Sequence, residues 1–184
     1  MPTIYISFSA EINANTTENL LAFCASKVNE GADELYIMLS TPGGSVMHGL
    51  NIYNVLRALP AKIVMHNVGN VDSIGNVIFL AGEERYACPT STFMFHGVGT
   101  DVVANSRLEE KILRERLDSI RSDQKRISQV LAEHSTISIP RLNGMFRQGV
   151  TKSPEFAKSV NIVHDIRDVS VPAGASVFQL VFQR

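Results

Sequence analysis

AKIVMHNVGNVDSIGNVIFLAG, residues 61–82, reads as a strand, a polar turn and a short apolar helix joined without a linker. Residues 61–68 are an apolar run of strand length. Gly69-Asn70-Val71-Asp72-Ser73-Ile74-Gly75 carries turn chemistry, residues 76–81 are small and apolar, and Gly82 closes the helix. The stretch before it repeats the order. ELYIMLS, residues 34–40, suits a strand buried on both faces of a parallel sheet. Thr41-Pro42-Gly43-Gly44-Ser45 then turns the chain, and Val46, Leu50, Tyr53, Val55 and Leu56 resume a helical pattern. Two strand–turn–helix units in succession predict an α/β fold of βαβ units with right-handed crossovers and a mostly parallel sheet. Ligands bind such sheets beyond the carboxyl ends of the strands, where both turns lie.

Outward from this pair, residues 3–8 form a first strand alternating Ile4, Ile6 and Phe8. Asn15-Thr16-Thr17-Glu18 opens a helix whose apolar face is Leu20, Leu21, Phe23, Cys24 and Val28, ended by Gly31. Residues 85–87 and 92–96 are two short strands around the turn Cys88-Pro89-Thr90. Residues 106–134 contain no Gly or Pro, and Leu113, Leu117, Ile120, Ile127 and Leu131 form one seam of a long helix. At about 29 residues and roughly 44 Å it is longer than a domain of this size needs, so part of it is expected to project. Its seam is expected to be buried against a second copy of the chain, the alternative being that the helix folds back along its own domain. Residues 143–148 and 153–161 close the chain, the latter a helix opened by Ser-Pro-Glu. The tail, residues 173–184, ends in an alternating VFQLVFQ that reads as an edge or inter-subunit strand. The expected organisation is a single domain over residues 1–184.

The chain has 184 residues, 45% of them apolar, and a formal net charge of −1. That balance argues against sequence-independent nucleic-acid binding, which needs a basic face. No early basic segment precedes an apolar run, and no stretch approaches the roughly 20 apolar residues of a membrane helix. Cys24 and Cys88 read as reduced thiols, so the expected location is cytoplasmic, with no membrane partner. His48, His66, His134 and His164 are scattered without metal-ligand spacing, so neither a metal site nor a cofactor is expected.

Three features carry chemistry. Ser73 sits at a strand-to-helix turn, where unpaired amides and the helix dipole favour a developing oxyanion. The turn is not the G-x-S-x-G elbow, because Val71 occupies the first glycine position. By itself Ser73 is a nucleophile candidate or a helix cap. Pro42-Gly43-Gly44-Ser45 supplies either an amide aimed into the cleft, opposite that of Ile74, or simply a tight connection. His96 ends a strand at the site-bearing rim, as a serine's general base or as a structural histidine.

In order and spacing, STPGGSVMHGLNIYNVL (40–56), GNVDSIGNVIFLAG (69–82) and ACPTSTFMFHG (87–97) together resemble the proteolytic subunit family of the Clp protease, within the Clp/crotonase superfamily. The resemblance extends more loosely over residues 4–166. It implies a ClpP-like serine endopeptidase acting on peptides or unfolded polypeptides, with Ser73 as nucleophile and His96 as base. It further implies an oxyanion hole from the amides of Gly44 and Ile74. The backbone of Gly43, Gly44, Ser45 and Val46 would hold an extended peptide by β-augmentation. The long helix matches the handle through which two heptameric rings stack around a closed chamber. Two departures stand out. The family's third catalytic residue, an aspartate, falls here on Gly149. The base would then be oriented by Gln148 or Thr151, by Asp72 or Asp101 from another loop, or by water. The first strand comes almost at residue 1, so the family's N-terminal axial segment is expected to be absent and dependence on an unfolding ATPase is not expected. Alternative readings are a catalytically weak or inactive assembly subunit and a crotonase-like acyl-thioester enzyme.

Overall fold

β3 (Lys62–Asp72) is the strand on which the architecture turns. The computed structural model describes residues 3–102, 104 and 107–182. Before β3 come β1 (Thr3–Ser9), α1 (Ala14–Asn29), β2 (Glu34–Thr41) and α2 (Val46–Ala58). After it come α3 (Gly75–Phe79), β4 (Glu84–Ala87), β5 (Thr92–Phe95), α4 (Glu110–His134) and α5 (Ile139–Gln148). β6 (Val150–Lys152), α6 (Pro154–Ser159), β7 (Asp165–Ile166) and β8 (Val177–Gln179) complete the chain. One sheet holds the strands in the order β6-β5-β3-β2-β1-β8, with β4 and β7 branching from β3. Among the described residues every pairing is parallel except β5 with β6. This is the α/β fold with a mostly parallel sheet that the sequence predicts.

The apolar run of β2 is buried on both faces, as its lack of alternation required. Leu35, Ile37 and Leu39 enter the main core with Ile6, Phe8, Ile52, Leu56, Phe79 and Phe93. Tyr36 faces the other way, into a small cluster with Tyr5 and Val64. His66 is fully buried beside that cluster. Its Nε2 lies 2.9 Å from the Arg167 carbonyl oxygen, which can only accept, so Nε2 carries the proton and donates. Nδ1 is then left to accept from the Tyr36 hydroxyl at 2.7 Å.

β3 changes partner partway along. Residues 64–67 pair with β4, and residues 70–72 pair with β5. Against β2 the register shifts between Leu39 and Thr41, whose partners are Asn67 and Val71. A bulge at Val68-Gly69-Asn70 therefore swings the end of β3 across to β5. The Asn67 side chain holds it, donating to the Thr92 carbonyl at 2.8 Å and accepting from the Gly69 amide at 3.1 Å. The bulge is what brings the residues after Asp72 beside the strand that leads to His96.

Several boundaries differ from the sequence reading. α1 begins at Ala14, because Asn13 is the cap and Thr16 returns the reciprocal bond of a capping box. α4 begins at Glu110, and residues 107–109 are not helical; Ser106, the expected start, lies outside the described residues. Its 25 residues span about 38 Å. Ile127 and Leu131 of its seam are buried, whereas Leu113 and Leu117 are 50% and 44% exposed. In the amino-terminal half, Leu113 and Leu117 are thus left largely open to solvent among the described residues. α5 begins at Ile139, its Pro140 sitting where a missing amide does no harm. The tail strand is an edge strand: β8 pairs parallel with β1.

Candidate active site

Ser73 stands between the end of β3 and the start of α3 with φ of 56°, a left-handed conformation that non-glycine residues rarely hold. Such strain persists only where the surroundings over-determine it. Here the Ser73 amide donates to the Met94 carbonyl on β5 at 2.9 Å. Asn76 donates from its backbone to the Ser73 carbonyl at 3.1 Å, and from its side chain to the carbonyls of Ser73 and Met94 at 3.0 and 2.8 Å. Gly75 makes room for the Thr41 methyl, which a Cβ there would meet at 2.5 Å. The turn is pinned to β2 on one side and β5 on the other.

The Pro42-Gly43-Gly44-Ser45 segment packs against this turn. A Cβ on Gly43 would lie 2.7 Å from the Ser73 Cβ, and one on Gly44 would lie 2.3 Å from the Ile12 carbonyl oxygen. Both glycines have positive φ, 88° and 144°. The flanking groups bond to Ile12: its amide donates to the Gly43 carbonyl, and its carbonyl accepts from the Ser45 amide, both at 2.8 Å. In that parallel bridge the amide of Gly44 itself faces away from Ile12. Among the described residues neither the Gly44 nor the Ile74 amide has an intrachain acceptor. Two donors are thus left over on the two segments that meet at Ser73.

His96 follows β5 directly and is exposed. The amide of the next residue, Gly97, donates to the Phe146 carbonyl of α5 at 3.0 Å, which fixes the strand exit. Ser73, His96 and Gly44 line one cavity of about 90 Å³, walled by Val46, Val98, Ile127 and Phe146. No hydrogen bond joins Ser73 Oγ to His96 among the described residues. Such contacts are often long in unliganded sites and tighten when substrate fills them.

The four candidate orienting residues lie elsewhere, and none lines that cavity. The Asp72 carboxylate accepts from the Asn70 side chain at 2.6 Å. Asp101 is exposed, its carbonyl held by Arg116 at 2.7 Å. Thr151 is exposed and sits opposite Met94. Gln148 is the last residue of α5. The antiparallel register ends at Met94↔Thr151 and Phe95↔Val150, and His96 and Gly149 are the next residues along the two chains. Gly149 caps α5 at φ of 64°, with no atom within 4 Å of where its Cβ would be.

Ser73, Gly44 and His96 therefore line one cavity. Asn76, Ile127 and Phe146 were missed as contributors. Asn76 had a signal, being the one polar side chain in residues 76–81, but periodicity reports burial and not bonding. Neither cysteine competes as a nucleophile. Burial pushes the Cys24 thiol up to about 12 and also raises that of Cys88, so both stay protonated near neutrality. No cluster of metal-ligating side chains is present among the described residues, and no helix there is long and apolar enough to cross a membrane.

Comparison with known proteins bears on the fold and the family. Among solved structures, a point-substituted ClpP1 from Listeria monocytogenes superposes with a TM-score of 0.80 at 21% identity. The match covers 90% of this chain and 91% of that one, and at this identity it speaks for the fold. The sequence model described as Clp protease matches residues 3–169, nearly the whole length. The chain belongs to the Clp protease family.

Proposed function

We propose that this chain is a serine endopeptidase that cleaves peptides or unfolded polypeptides through an acyl-enzyme. Ser73 Oγ attacks the scissile carbonyl carbon while His96 takes its proton. The tetrahedral oxyanion is held by the amides of Gly44 and Ile74, and His96 then passes the proton to the leaving amine. Water, deprotonated by the same imidazole, hydrolyses the ester and frees Ser73. The carrying observation is the strained left-handed Ser73 at the mouth of α3, sharing one small cavity with His96 and Gly44. The apolar walls of that cavity suit a compact apolar side chain of the substrate, and the segment from Gly43 to Val46 offers its backbone to an extended peptide. The exposed half of α4 supports assembly of several copies, in this family's manner as stacked rings.

The test is phosphonylation by a fluorophosphonate together with cleavage of an unstructured peptide. The wild type should do both and the Ser73→Ala variant neither. Retention of full activity in that variant would remove Ser73 from the role. A second reading, a catalytically weak or inactive assembly subunit, is favoured by the lack of any carboxylate, among the described residues, lining the cavity that holds His96. Ring assembly without any labelling would establish it.

A further inference from the structure

We infer that Asn76 is a positioning residue, whose side-chain amide clamps the Ser73 turn onto the strand that carries His96. The inference rests on the proposed role of Ser73 as nucleophile. Asn76 is 1% exposed and its Nδ2 donates twice, to the Ser73 carbonyl at 3.0 Å and to the Met94 carbonyl at 2.8 Å. The amide's orientation follows from chemistry, since the opposite placement would face Oδ1 with two carbonyl oxygens. The Met94 carbonyl also receives the Ser73 amide at 2.9 Å, so one acceptor on β5 ties both the backbone of the turn and its clamp. Met94 lies two residues before His96 on the same run of chain. Nucleophile and base are thereby held in one frame.

Stability alone does not account for this side chain. Val77, Ile78, Phe79 and Leu80 around it are buried and apolar, and an apolar residue would pack there without polar atoms to satisfy. Asn76 instead leaves its Oδ1 buried with no partner among the described residues. A buried acceptor without a partner is unfavourable, and it is tolerated here beside a left-handed serine that needs outside support. Among the described residues no carboxylate lines the cavity that Ser73 shares with His96, so their relative placement depends the more on this bond pair.

The experiment compares wild type, Ser73→Ala, Asn76→Ala and Asn76→Leu, the last keeping the volume while removing both donors. Each is followed by fluorophosphonate labelling rate, by kcat and KM on an unstructured peptide, and by Tm. Labelling and kcat should fall about tenfold or more in both Asn76 variants, with KM within about twofold, as expected for a displaced reacting group. Variants that fold and label like wild type overturn the inference while leaving the peptidase reading intact, whatever their Tm. A wild type that does not label overturns both. Should neither variant fold, the phosphonylated wild type decides by its structure. Asn76 Nδ2 within hydrogen-bond distance of both carbonyls in the adduct supports the clamp, and its withdrawal from them overturns it.

Discussion

At Gly149 the backbone is left-handed and opens onto space, immediately before β6, whose Val150 pairs with Phe95, the neighbour of the His96 that the proposed mechanism needs held. Aspartate is one of the few non-glycine residues that enter this conformation at modest cost. Gly149→Asp should therefore fold and place a carboxylate beside His96, raising kcat/KM for peptide cleavage by about 10²-fold or more, within the roughly 10⁴-fold that an orienting acid provides in triads of this kind. Gly149→Ala, which adds only a methyl group, should give no gain. Equal rates for the two would mean that His96 is already oriented, or that it is not the base. Gly44 makes the opposite demand. A Cβ there would press on the Ile12 carbonyl oxygen at 2.3 Å, with φ in a region that side chains avoid. Gly44→Ala should lower stability by about 1–3 kcal/mol from backbone strain alone, seen as a lower Tm. It should also abolish labelling at Ser73, because the segment that presents the leftover amide must move.

At the scale of elements, α4 divides into two halves with different partners. Its carboxyl half buries Ile127 and Leu131 against α5 and the site, so it belongs to this domain's core. Its amino half leaves Ile112, Leu113 and Leu117 exposed among Lys, Arg and Glu, an apolar strip open to solvent among the described residues. Replacing Leu113 and Leu117 together by Glu should leave the circular dichroism spectrum unchanged and shift sedimentation toward smaller species. An unchanged sedimentation profile would mean that this strip is not an assembly surface. The seam of this helix was legible because Leu113, Leu117, Ile127 and Leu131 repeat at helical spacing. Its start was not, because Arg107, Leu108 and Glu109 are good helix formers and nothing in their chemistry marks a stop. The same split holds at the site. Ser73, Gly44 and His96 lie at turns just past strand ends, which strand-length runs and glycines reveal. What binds them into one site is the two-residue slip of β3 and the Asn76 bonds, both set by tertiary register and therefore invisible to a periodicity of 2 or 3.6.

Across the whole molecule, three of the five histidines tie segments distant in sequence, and the same physics acts on each. His66 on β3 donates to the Arg167 carbonyl and accepts from Tyr36. His164 accepts the Arg85 amide at 3.3 Å, next to where the Arg85 guanidinium bonds the carbonyls of Asn161 and Ile162. His134, at the end of α4, bonds the Tyr53 hydroxyl of α2 at 2.8 Å. Burial holds all three imidazoles below the usual histidine range. The nearby charges are Arg167 and Asp168 for His66, Arg57, Arg85 and Glu133 for His134, and Arg85 and Glu84 for His164. As pH falls below about 6.5 the unfolded chain takes up protons that the folded one refuses, so the unfolded state gains and stability declines. The contribution is complete above the unfolded value and is lost as pH falls through the lowered folded values. The carboxylates held below their usual range, Glu30, Glu84, Glu155 and Asp165, add a second loss only in more acid solution. Tm measured in steps from pH 7.5 to 5 should therefore fall already between about 6.5 and 5, before the carboxylates titrate. His66→Gln removes the most deeply buried of the three, and should flatten part of that slope even though it lowers Tm at neutral pH. A Tm that is level across this range, or a slope unaffected by His66→Gln, would show that these ties do not carry the histidine-linked stability assigned to them.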